Sequence, residues 1–298
     1  MILVTEIGWR AAAALARTGG SAHVLATLSR SAYLIAGDEL VWLGPPGSTL
    51  HARAALAASA SHASSPLTTV PLDVPTEART LVTLDTRGAW AWRAPSLTAD
   101  ADALRRNARA LVAGLGGIGT PEGFGLHLVG APLPSLLETA RPGLEALAAA
   151  CEADDAAAAA ESAAALLGLG PGLTPSGDDL VGGAFFARRL LVAVDDARAA
   201  AWRAAADKTV ALARERTHPI SALLLADLAA GEGWAPLHGL AAALAASASA
   251  EVVMDEAGRL TRIGQTSGWD LLTGFVVGLL GRSAFPVPSL PGRSTLAE

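Results

Sequence analysis

The sequence predicts an α+β protein in which a small β-rich domain, barrel- or sandwich-like, precedes a larger and mostly α-helical domain. Short runs rich in Val, Leu, Tyr and Trp, separated by Gly, Asp and Pro, dominate residues 20–95. Further along the chain, apolar residues recur at helical spacing and alanine is abundant. These patterns predict a β-rich domain at 1–98 with an alanine-rich helical insertion, a helical domain at 99–282 and a flexible Pro/Ser/Gly-rich tail at 283–298.

The β-rich region contains five predicted strands, each bounded by turn residues. They are residues 22–28, 32–36, 40–43, 80–84 and 89–92. The sequence Asp-Thr-Arg-Gly at 85–88 predicts a hairpin loop between the last two strands. Alanine-rich residues 48–60 predict a helix that precedes a Ser/Thr/Pro linker. His51 and His62 have no obvious partners in this region, and we expect both to be exposed to solvent.

The helical region contains seven predicted segments and one predicted hairpin. The helical segments are residues 101–114, 135–167, 177–194, 196–215, 219–230, 235–247 and 268–281. A short hairpin is predicted between residues 252–253 and 259–263. The nearly pure alanine run at 153–165 predicts a solvent-facing helix. Cys151, the single cysteine, excludes an internal disulfide, and we expect it to be buried without a chemical role.

Composition and charge exclude several classes of protein. The chain has 298 residues, of which 51% are hydrophobic and 17% charged, as expected for a globular protein with a large core. The net charge of -6 and the single lysine, Lys208, argue against nucleic-acid binding, which needs clustered positive charge. No signal peptide is evident at the N-terminus, and no apolar run is long enough to span a bilayer. We therefore expect a soluble, cytoplasmic protein with no membrane partner.

The least ordinary stretch of the chain is Gly-Leu-Gly-Pro-Gly-Leu-Thr-Pro-Ser-Gly-Asp-Asp at residues 168–179. Its glycines and prolines exclude regular structure as far as Pro175, and Ser176 is a suitable N-cap for a helix that follows. Asp179 can form a capping box with Ser176, and Asp178 also faces the positive end of the helix dipole. The exposed amides of such a loop predict a cradle for phosphate or carboxylate. The lysine of a P-loop and the third glycine of a dinucleotide-binding loop are both missing.

A second copy of part of this stretch lies near the C-terminus. The pattern Ser-Gly-x-Asp-Leu-apolar-x-Gly occurs at residues 176–183 and again at 267–274. In each copy the later glycine, Gly183 or Gly274, falls on the second helical turn, where a missing side chain lets another helix approach closely. The repeat therefore predicts that the two helices cross at these glycines.

Two helices that cross in this way could direct their positive N-termini at one anionic ligand. Asp179 and Asp270 would then lie beside the ligand as metal or ammonium partners, or as acceptors that orient it. The alternative is an internal duplication in which the capping residues have a purely architectural role.

A third polar group lies at residues 214–221, where one predicted helix ends and the next begins. Arg216, Thr217 and Ser221 could complete an anion site there, since arginine binds carboxylates and phosphates through two parallel hydrogen bonds. The alternative is a capped turn between helices with exposed charges. His218 is the only histidine near these motifs, which leaves a role in proton transfer open.

Residues 168–179, Thr217 with Ser221, and residues 263–270 together resemble a bacterial family long described as a domain of unknown function. One branch of it, AllH, is similar to a subunit of the oxamate carbamoyltransferase of anaerobic allantoin breakdown. The resemblance is sharp over residues 165–282 and loose over the β-rich region. It implies involvement in carbamoyl transfer between oxamate and carbamoyl phosphate, in complex with two other subunits.

The leading hypothesis is therefore a subunit of a carbamoyltransferase-like enzyme that binds carbamoyl phosphate, oxamate or phosphate at the converging helix starts. Preorganised NH donors at such a site stabilise negative charge that develops on oxygen. The candidate catalytic residues are Asp178, Asp179 and Asp270. The candidate ligand-binding residues are Gly170, Gly172, Thr174, Ser176, Gly177, Arg216, Thr217, Ser221, Gln265, Thr266, Ser267 and Gly268.

Two alternative functions stay open at this point. One is a magnesium-dependent phosphoryl-transfer or nucleotide-binding protein, in which Asp178 and Asp179 hold Mg²⁺ against a phosphate. The other is a non-catalytic assembly subunit whose capped helices build a surface for partners. Other protein subunits or further copies of the same chain are the expected macromolecular partners, and magnesium is the one cofactor considered.

Overall fold

The computed structural model describes residues 1–58, 79–97, 100–192 and 196–286. The chain divides into two compact units. The first comprises Met1–Leu97 and Ala230–Leu240, and the second comprises Thr98–Ala229 and Ala241–Glu298. Strands make up most of the first unit, and the second is mostly helical. The predicted α+β fold class is therefore confirmed.

The first unit is built on a closed β-barrel. Its strands are β1 (Ile2–Gly8), β2 (Ser21–Thr27), β3 (Ala32–Ala36), β4 (Glu39–Gly44), β5 (Ala54–Ala57), β6 (Leu81–Asp85) and β7 (Trp90–Trp92), and helix α1 (Trp9–Arg17) follows β1. The strand order is β5-β4-β3-β2-β6-β1-β7, and a further pairing between β5 and β1 closes the first six strands into a barrel. Alternate inward-facing residues such as Val4, Val24, Leu34 and Val41 fill its core.

Strand β1 forms the seam of the barrel. It pairs antiparallel with β5, with Val4 opposite Ala57 and Ile7 opposite Ala55. It also pairs in parallel with β6 and with β7. Since β6 and β7 both run parallel to β1, they run in the same direction as each other, and the predicted hairpin at 85–88 is wrong.

The five predicted strands are confirmed to within one residue at either end. The predicted helix at 48–60 is wrong over its described part, because Ala54–Ala57 form strand β5 between β4 and β1. All four residues of β5 are buried and three of them are alanines, and pairing on both edges of the strand outweighs the helix propensity of alanine. Residues 59–60, the predicted linker and His62 lie outside the described residues.

Residues 230–240 complete an aromatic cluster of the first unit. The Ala235 amide donates to the Leu50 carbonyl oxygen at 2.8 Å. The rings of Trp234 and His51 lie 5.5 Å apart between centroids, and Trp42 lies 5.8 Å from His51 on another side. His51 is therefore buried, with 6% of its surface exposed, and the expectation of a solvated histidine is wrong. Burial, with a smaller contribution from the charge of Arg53, lowers the pKa of His51 to about 3.

This buried imidazole is expected to make the stability of the barrel depend on pH. The pKa of His51 is lower in the folded protein than its ordinary value, so acid favours the unfolded chain, which binds the proton more readily. The free energy of unfolding should be fully retained above about pH 6.5 and fall by at most about 1.4 kcal/mol per pH unit below it. Calorimetric unfolding of the wild type and of His51→Phe between about pH 7 and about pH 5 measures this. An equal loss of stability in both proteins would contradict the assignment.

The helical unit is built from eleven α-helices among the described residues. They are α2 (Ala101–Gly114), α3 (Gly125–Leu128), α4 (Ser135–Glu138), α5 (Arg141–Ala153), α6 (Ala156–Ala164), α7 (Ser176–Leu191), α8 (Asp196–Arg216), α9 (Pro219–Ala229), α10 (Ala235–Ala245), α11 (Ala250–Thr261) and α12 (Ser267–Leu280). Helix α10 begins in the first unit and ends in the second. Helices α7 and α12 are buried along almost their whole length and form the centre of the helical unit.

The predicted helix at 135–167 is interrupted twice and forms α4, α5 and α6. The second break is at Asp154, which ends α5 with a left-handed φ of 57°. Asp155 then caps α6, because its carboxylate accepts a hydrogen bond from the Ala158 amide at 2.9 Å. Helix α6 is not simply solvent-facing, since its alanines on one side, including Ala159 and Ala163, are fully buried.

The predicted hairpin at 252–263 is also wrong, because these residues belong mainly to helix α11. Ser249 caps this helix by accepting a hydrogen bond from the Val252 amide at 3.5 Å. The apolar residues Val253, Ala257 and Leu260 recur at helical spacing and are buried. Helical periodicity therefore outweighs the local β propensity of the paired valines.

The C-terminal part of the described chain ends in a 3₁₀ turn at Gly281–Ala284. This turn includes the start of the predicted tail, and residues 287–298 of that tail lie outside the described residues. Cys151 is buried as predicted, and burial raises the pKa of its thiol to about 12. Within the described ranges, the longest and most apolar helices still fall short of what a membrane span requires.

Candidate functional site

Helices α7 and α12 cross in direct backbone contact, as the repeated motif predicts. A Cβ atom at Gly183 would overlap the Leu271 carbonyl oxygen of α12. A Cβ atom at Gly274 would overlap the Leu180 carbonyl oxygen of α7 in the same way. The two glycines therefore play equivalent parts in the crossing, and the beginnings of the two helices lie side by side.

Each helix start is also anchored by the glycine at its second position. The Gly177 amide donates to the Leu169 carbonyl oxygen at 2.8 Å, and the Gly268 amide donates to the Ile263 carbonyl oxygen at 2.9 Å. Neither position has room for a side chain, because a Cβ would overlap a backbone carbonyl oxygen in both cases. These two amides hold the preceding loops against the helices and are already bonded within the chain.

The polar side chains at the two helix starts contact one another across the crossing. Thr174 Oγ1 lies 3.2 Å from Ser267 Oγ, and Ser176 Oγ lies 3.2 Å from Thr266 Oγ1. The Ser267 hydroxyl also interacts with the carboxyl of Asp179, and the hydroxyls of Ser176 and Thr266 interact with that of Asp270. Each helix therefore places a hydroxyl beside the carboxyl of the other. These six residues, Thr174, Ser176, Asp179, Thr266, Ser267 and Asp270, are named the helix-start cluster.

These contacts between hydroxyls and carboxyls of the two helix starts replace the capping box that the sequence predicts within α7. Ser176 is the first helical residue and Pro175 occupies the N-cap position, where it provides no side-chain hydrogen bond. The N-cap role expected of Ser176 is therefore wrong. Its hydroxyl instead lies within hydrogen-bonding distance of the hydroxyl of Thr266, the N-cap residue of α12.

The two carboxyl groups of the helix-start cluster lie beneath its hydroxyl groups. Asp270 has no exposed surface, and its Oδ1 atom accepts a hydrogen bond from the Phe124 amide at 2.7 Å. Asp179 is 3% exposed. The Oδ2 atom of each residue is buried and lies at hydrogen-bonding distance and angle to no described donor. Three hydroxyl-bearing residues above them, Thr174, Thr266 and Ser267, are half-buried and form the outer face of the cluster.

Burial decides the protonation behaviour of both carboxyl groups. It raises the pKa of Asp270 to about 6, although the Phe124 amide and the hydroxyls of Ser176 and Thr266 oppose the change. It raises the pKa of Asp179 well above its usual range, and the nearby charge of Asp270 adds to the effect. Two carboxylates at this depth repel each other, so the pair resists full ionisation unless a positive group joins it.

Asp178 faces away from this cluster, and both of its carboxylate oxygens accept hydrogen bonds from the protein. Its Oδ1 atom accepts from the Gly168 amide at 2.8 Å. Its Oδ2 atom accepts from the Ser221 hydroxyl at 2.7 Å and from the Thr217 hydroxyl. Thr217 and Ser221 therefore bind Asp178 and join the corner between α8 and α9 to the glycine-rich loop.

The other residues of the corner have local partners. Arg216 is exposed and its Nη1 atom donates to the Ala164 carbonyl oxygen at 2.8 Å. His218 Nδ1 accepts from the Ile220 amide at 3.2 Å, which satisfies a free amide at the start of α9. Burial lowers the pKa of His218, so the imidazole is mostly neutral at physiological pH. Gln265 is exposed in the loop before α12.

The loop before α7 presents unused backbone donors, as its composition predicts. Gly168, Gly170 and Gly172 adopt positive φ angles of 76°, 123° and 93°. Gly170 lies against the Ser176 amide, and a Cβ there would come within 2.6 Å of that nitrogen. Among the described residues, no acceptor bonds to the amides of the loop and of the first helical residue, namely Gly170, Gly172, Leu173, Thr174 and Ser176. These donors suit an anion.

Residues 122–124 contact the carboxyl of Asp270, which the sequence did not predict. Gly123 has a φ of 54°, and a side chain at this position would overlap the Asp270 carboxyl. The turn brings the Phe124 amide onto Asp270. The only signal in the sequence is the Gly-Thr-Pro-Glu-Gly turn at 119–123, which predicts a bend but no partner.

A magnesium ion held jointly by Asp178 and Asp179 does not fit this arrangement. Both oxygens of Asp178 already accept hydrogen bonds from the protein, whereas Asp179 faces Ser267 and Asp270. Among the described residues, no group of three or more His, Cys, Asp and Glu side chains is placed to bind a metal ion.

The fold and the site together define an α+β protein whose helical unit pairs two glycine-bounded helix starts around buried carboxyl groups. The model of the family described as oxamate carbamoyltransferase subunit AllH matches residues 166–279. The match runs from the glycine-rich loop to the end of α12 and confirms the resemblance inferred from the sequence. Over these residues the chain is similar to the oxamate carbamoyltransferase subunit AllH. No curated protein and no solved structure matches the chain.

Proposed function

We propose that the chain is a subunit of a carbamoyltransferase-like enzyme and binds an anionic, carbamoyl-bearing ligand at the helix-start cluster. This proposal rests mainly on the contact between two helix starts that are far apart in the sequence. Ser176 and Thr266 are separated by 90 residues, yet their hydroxyls lie within hydrogen-bonding distance. Both lie inside the stretch that matches the AllH family, residues 166–279.

The chemistry of the cluster complements the two ends of such a ligand. Oxamate and carbamoyl phosphate each carry an anionic group and an NH₂ group. The unused amides of the glycine-rich loop and the positive ends of α7 and α12 suit the anionic group. The half-buried hydroxyls of Thr174, Thr266 and Ser267 can bond to either end, because a hydroxyl both donates and accepts.

The buried carboxyls then act mainly by orienting these hydroxyls. Asp179 interacts with Ser267, and Asp270 interacts with Ser176 and Thr266. In carbamoyl transfer, negative charge develops on the carbonyl oxygen, and one oriented donor stabilises it by about 3 kcal/mol. Other subunits of the enzyme, as the AllH description implies, would supply the groups that this chain lacks.

Loss of the Ser267 hydroxyl is expected to weaken ligand binding. Ser267→Ala removes the contacts to Thr174 and Asp179 with little change in volume. The dissociation constants for oxamate and for carbamoyl phosphate should rise about tenfold, which corresponds to ~1.4 kcal/mol. Isothermal titration calorimetry of the purified chain measures both.

Ser162→Ala is the matched control, because the Ser162 hydroxyl donates to the Ala158 carbonyl oxygen of its own helix, at 2.8 Å. Its affinities should equal those of the wild type. ATP binding that requires magnesium would instead favour phosphoryl transfer. If the wild type binds none of these ligands, the proposal is wrong and an assembly role is favoured.

A further inference from the structure

The two buried carboxyl groups of the helix-start cluster are incompletely paired. The Oδ2 atoms of Asp179 and Asp270 are buried and meet no described donor at hydrogen-bonding geometry. Asp179 is 3% exposed and Asp270 is 0% exposed, so water at the molecular surface does not reach them. A buried polar atom without a partner is costly, and a bound water or ion is one common reason that such an atom persists in a native protein.

The polar side chains that contact these two carboxyls all carry hydroxyl groups. Thr174, Ser176, Thr266 and Ser267 contribute hydroxyl groups, arranged in two pairs with O–O separations of 3.2 Å. Carboxylate and hydroxyl oxygens are the ligands that hard cations prefer, whereas sulfur and imidazole ligands favour transition metals. The composition of the cluster therefore fits an alkali or alkaline-earth cation.

The charge of the cluster favours a monovalent ion over a divalent one. Two ionised carboxyls carry two negative charges, and the ends of α7 and α12 each contribute about half a positive charge. An excess of about one negative charge remains. Asp178 also lies nearby, but three protein donors satisfy it, and Glu122, which faces Asp270, is exposed to solvent.

We propose that the helix-start cluster binds one monovalent inorganic cation, K⁺ or Na⁺, between the carboxylates of Asp179 and Asp270. The hydroxyls of Ser176, Thr266 and Ser267 complete its oxygen ligands. The cation binds to the chain's own oxygens, so this proposal does not depend on the identity of the anionic ligand. A single proton shared by the two carboxyls is the competing way to remove the same excess charge.

The test compares thermal unfolding of the purified full chain in KCl, NaCl and choline chloride at equal ionic strength, with no ligand added. Choline is too large for the cluster, so it reproduces the screening of the other salts without the binding. A cation that binds only the folded chain should raise the midpoint of unfolding by about 3 °C over choline chloride. Asp270→Asn should abolish this difference, whereas Asp255→Asn, on the exposed face of α11, should retain it.

A second measurement needs no variant and guards against Asp270→Asn failing to fold. Sodium NMR of the wild-type chain should show line broadening that excess K⁺ reverses. Equal midpoints in all three salts together with a sharp sodium line would overturn the proposal in favour of the shared proton. Stabilisation by Mg²⁺ or Ca²⁺ without any by K⁺ or Na⁺ would also overturn it. Failure of oxamate to bind would leave all of these results unchanged, so the two proposals fail separately.

Discussion

Replacing Gly274 with valine is expected to prevent the helical unit from folding, with a loss of more than about 4 kcal/mol. The Cβ atom alone would overlap the Leu180 carbonyl oxygen and approach the Ala184 nitrogen to 3.0 Å. Both are backbone atoms of α7, which cannot rotate away as a side chain can. The two extra methyl groups of valine would force α7 and α12 apart along their most buried contact. Far-UV circular dichroism and limited proteolysis of the variant measure the outcome.

Gly116→Ala provides the matched control for this prediction. Gly116 is exposed in the 3₁₀ turn Leu115–Gly117, and a Cβ at this position would meet no atom within 4 Å. The change in stability should therefore stay within about 0.5 kcal/mol. A Gly274→Val protein that unfolds at the wild-type temperature would show that the helices do not cross in backbone contact.

Replacing Asp178 with alanine is expected to cost about 3 to 5 kcal/mol of stability, because it removes an acceptor used three times. The Gly168 amide and the hydroxyls of Thr217 and Ser221 would lose their partner together. Ser221 is buried, so water cannot easily replace the carboxylate. The start of the glycine-rich loop would also lose its attachment to the corner between α8 and α9. Denaturant unfolding of the purified variant gives the free energy.

Asp255→Ala is the control for Asp178→Ala. The Asp255 side chain is 56% exposed and pairs with Arg259 at 2.8 Å, an exposed ion pair worth at most about 1 kcal/mol. The comparison also separates a structural role from a catalytic one. If Asp178→Ala were as stable as the wild type yet failed to bind oxamate, Asp178 would belong to the ligand site after all.

The crossing of α7 and α12 could be predicted from the sequence because its determinants are local and repeated. Gly183 and Gly274 occupy the same position in two copies of one motif, and a glycine in a buried helix signals close approach. The partner of Ser176 could not be predicted in this way. Capping statistics describe a helix by its own first turn, whereas Ser176 contacts Thr266, the N-cap residue of another helix.

The barrel shows the same division between local and distant determinants. Strands such as β3 and β4 are rich in Val, Leu, Tyr and Trp, so their composition identifies them. The segment Ala54–Ala57 has the composition of a helix, and only its pairing with β1 and β4 makes it a strand. The Phe124 amide reaches Asp270 across 146 residues of sequence, and composition carries no record of such a contact.

The return of residues 230–240 to the first unit has a consequence for the inheritance of the gene. This short segment supplies Trp234, which packs on His51, and Glu232, which accepts from the Trp9 indole at 3.1 Å. Recombination between two related genes near codon 98 would join the barrel encoded by one gene to the helical region encoded by the other. That helical region would have evolved with a different barrel. The hybrid would combine Trp9 and His51 from one parent with residues 230–240 from the other. Selection should therefore keep both parts of the coding sequence together, and their substitutions should be correlated across lineages.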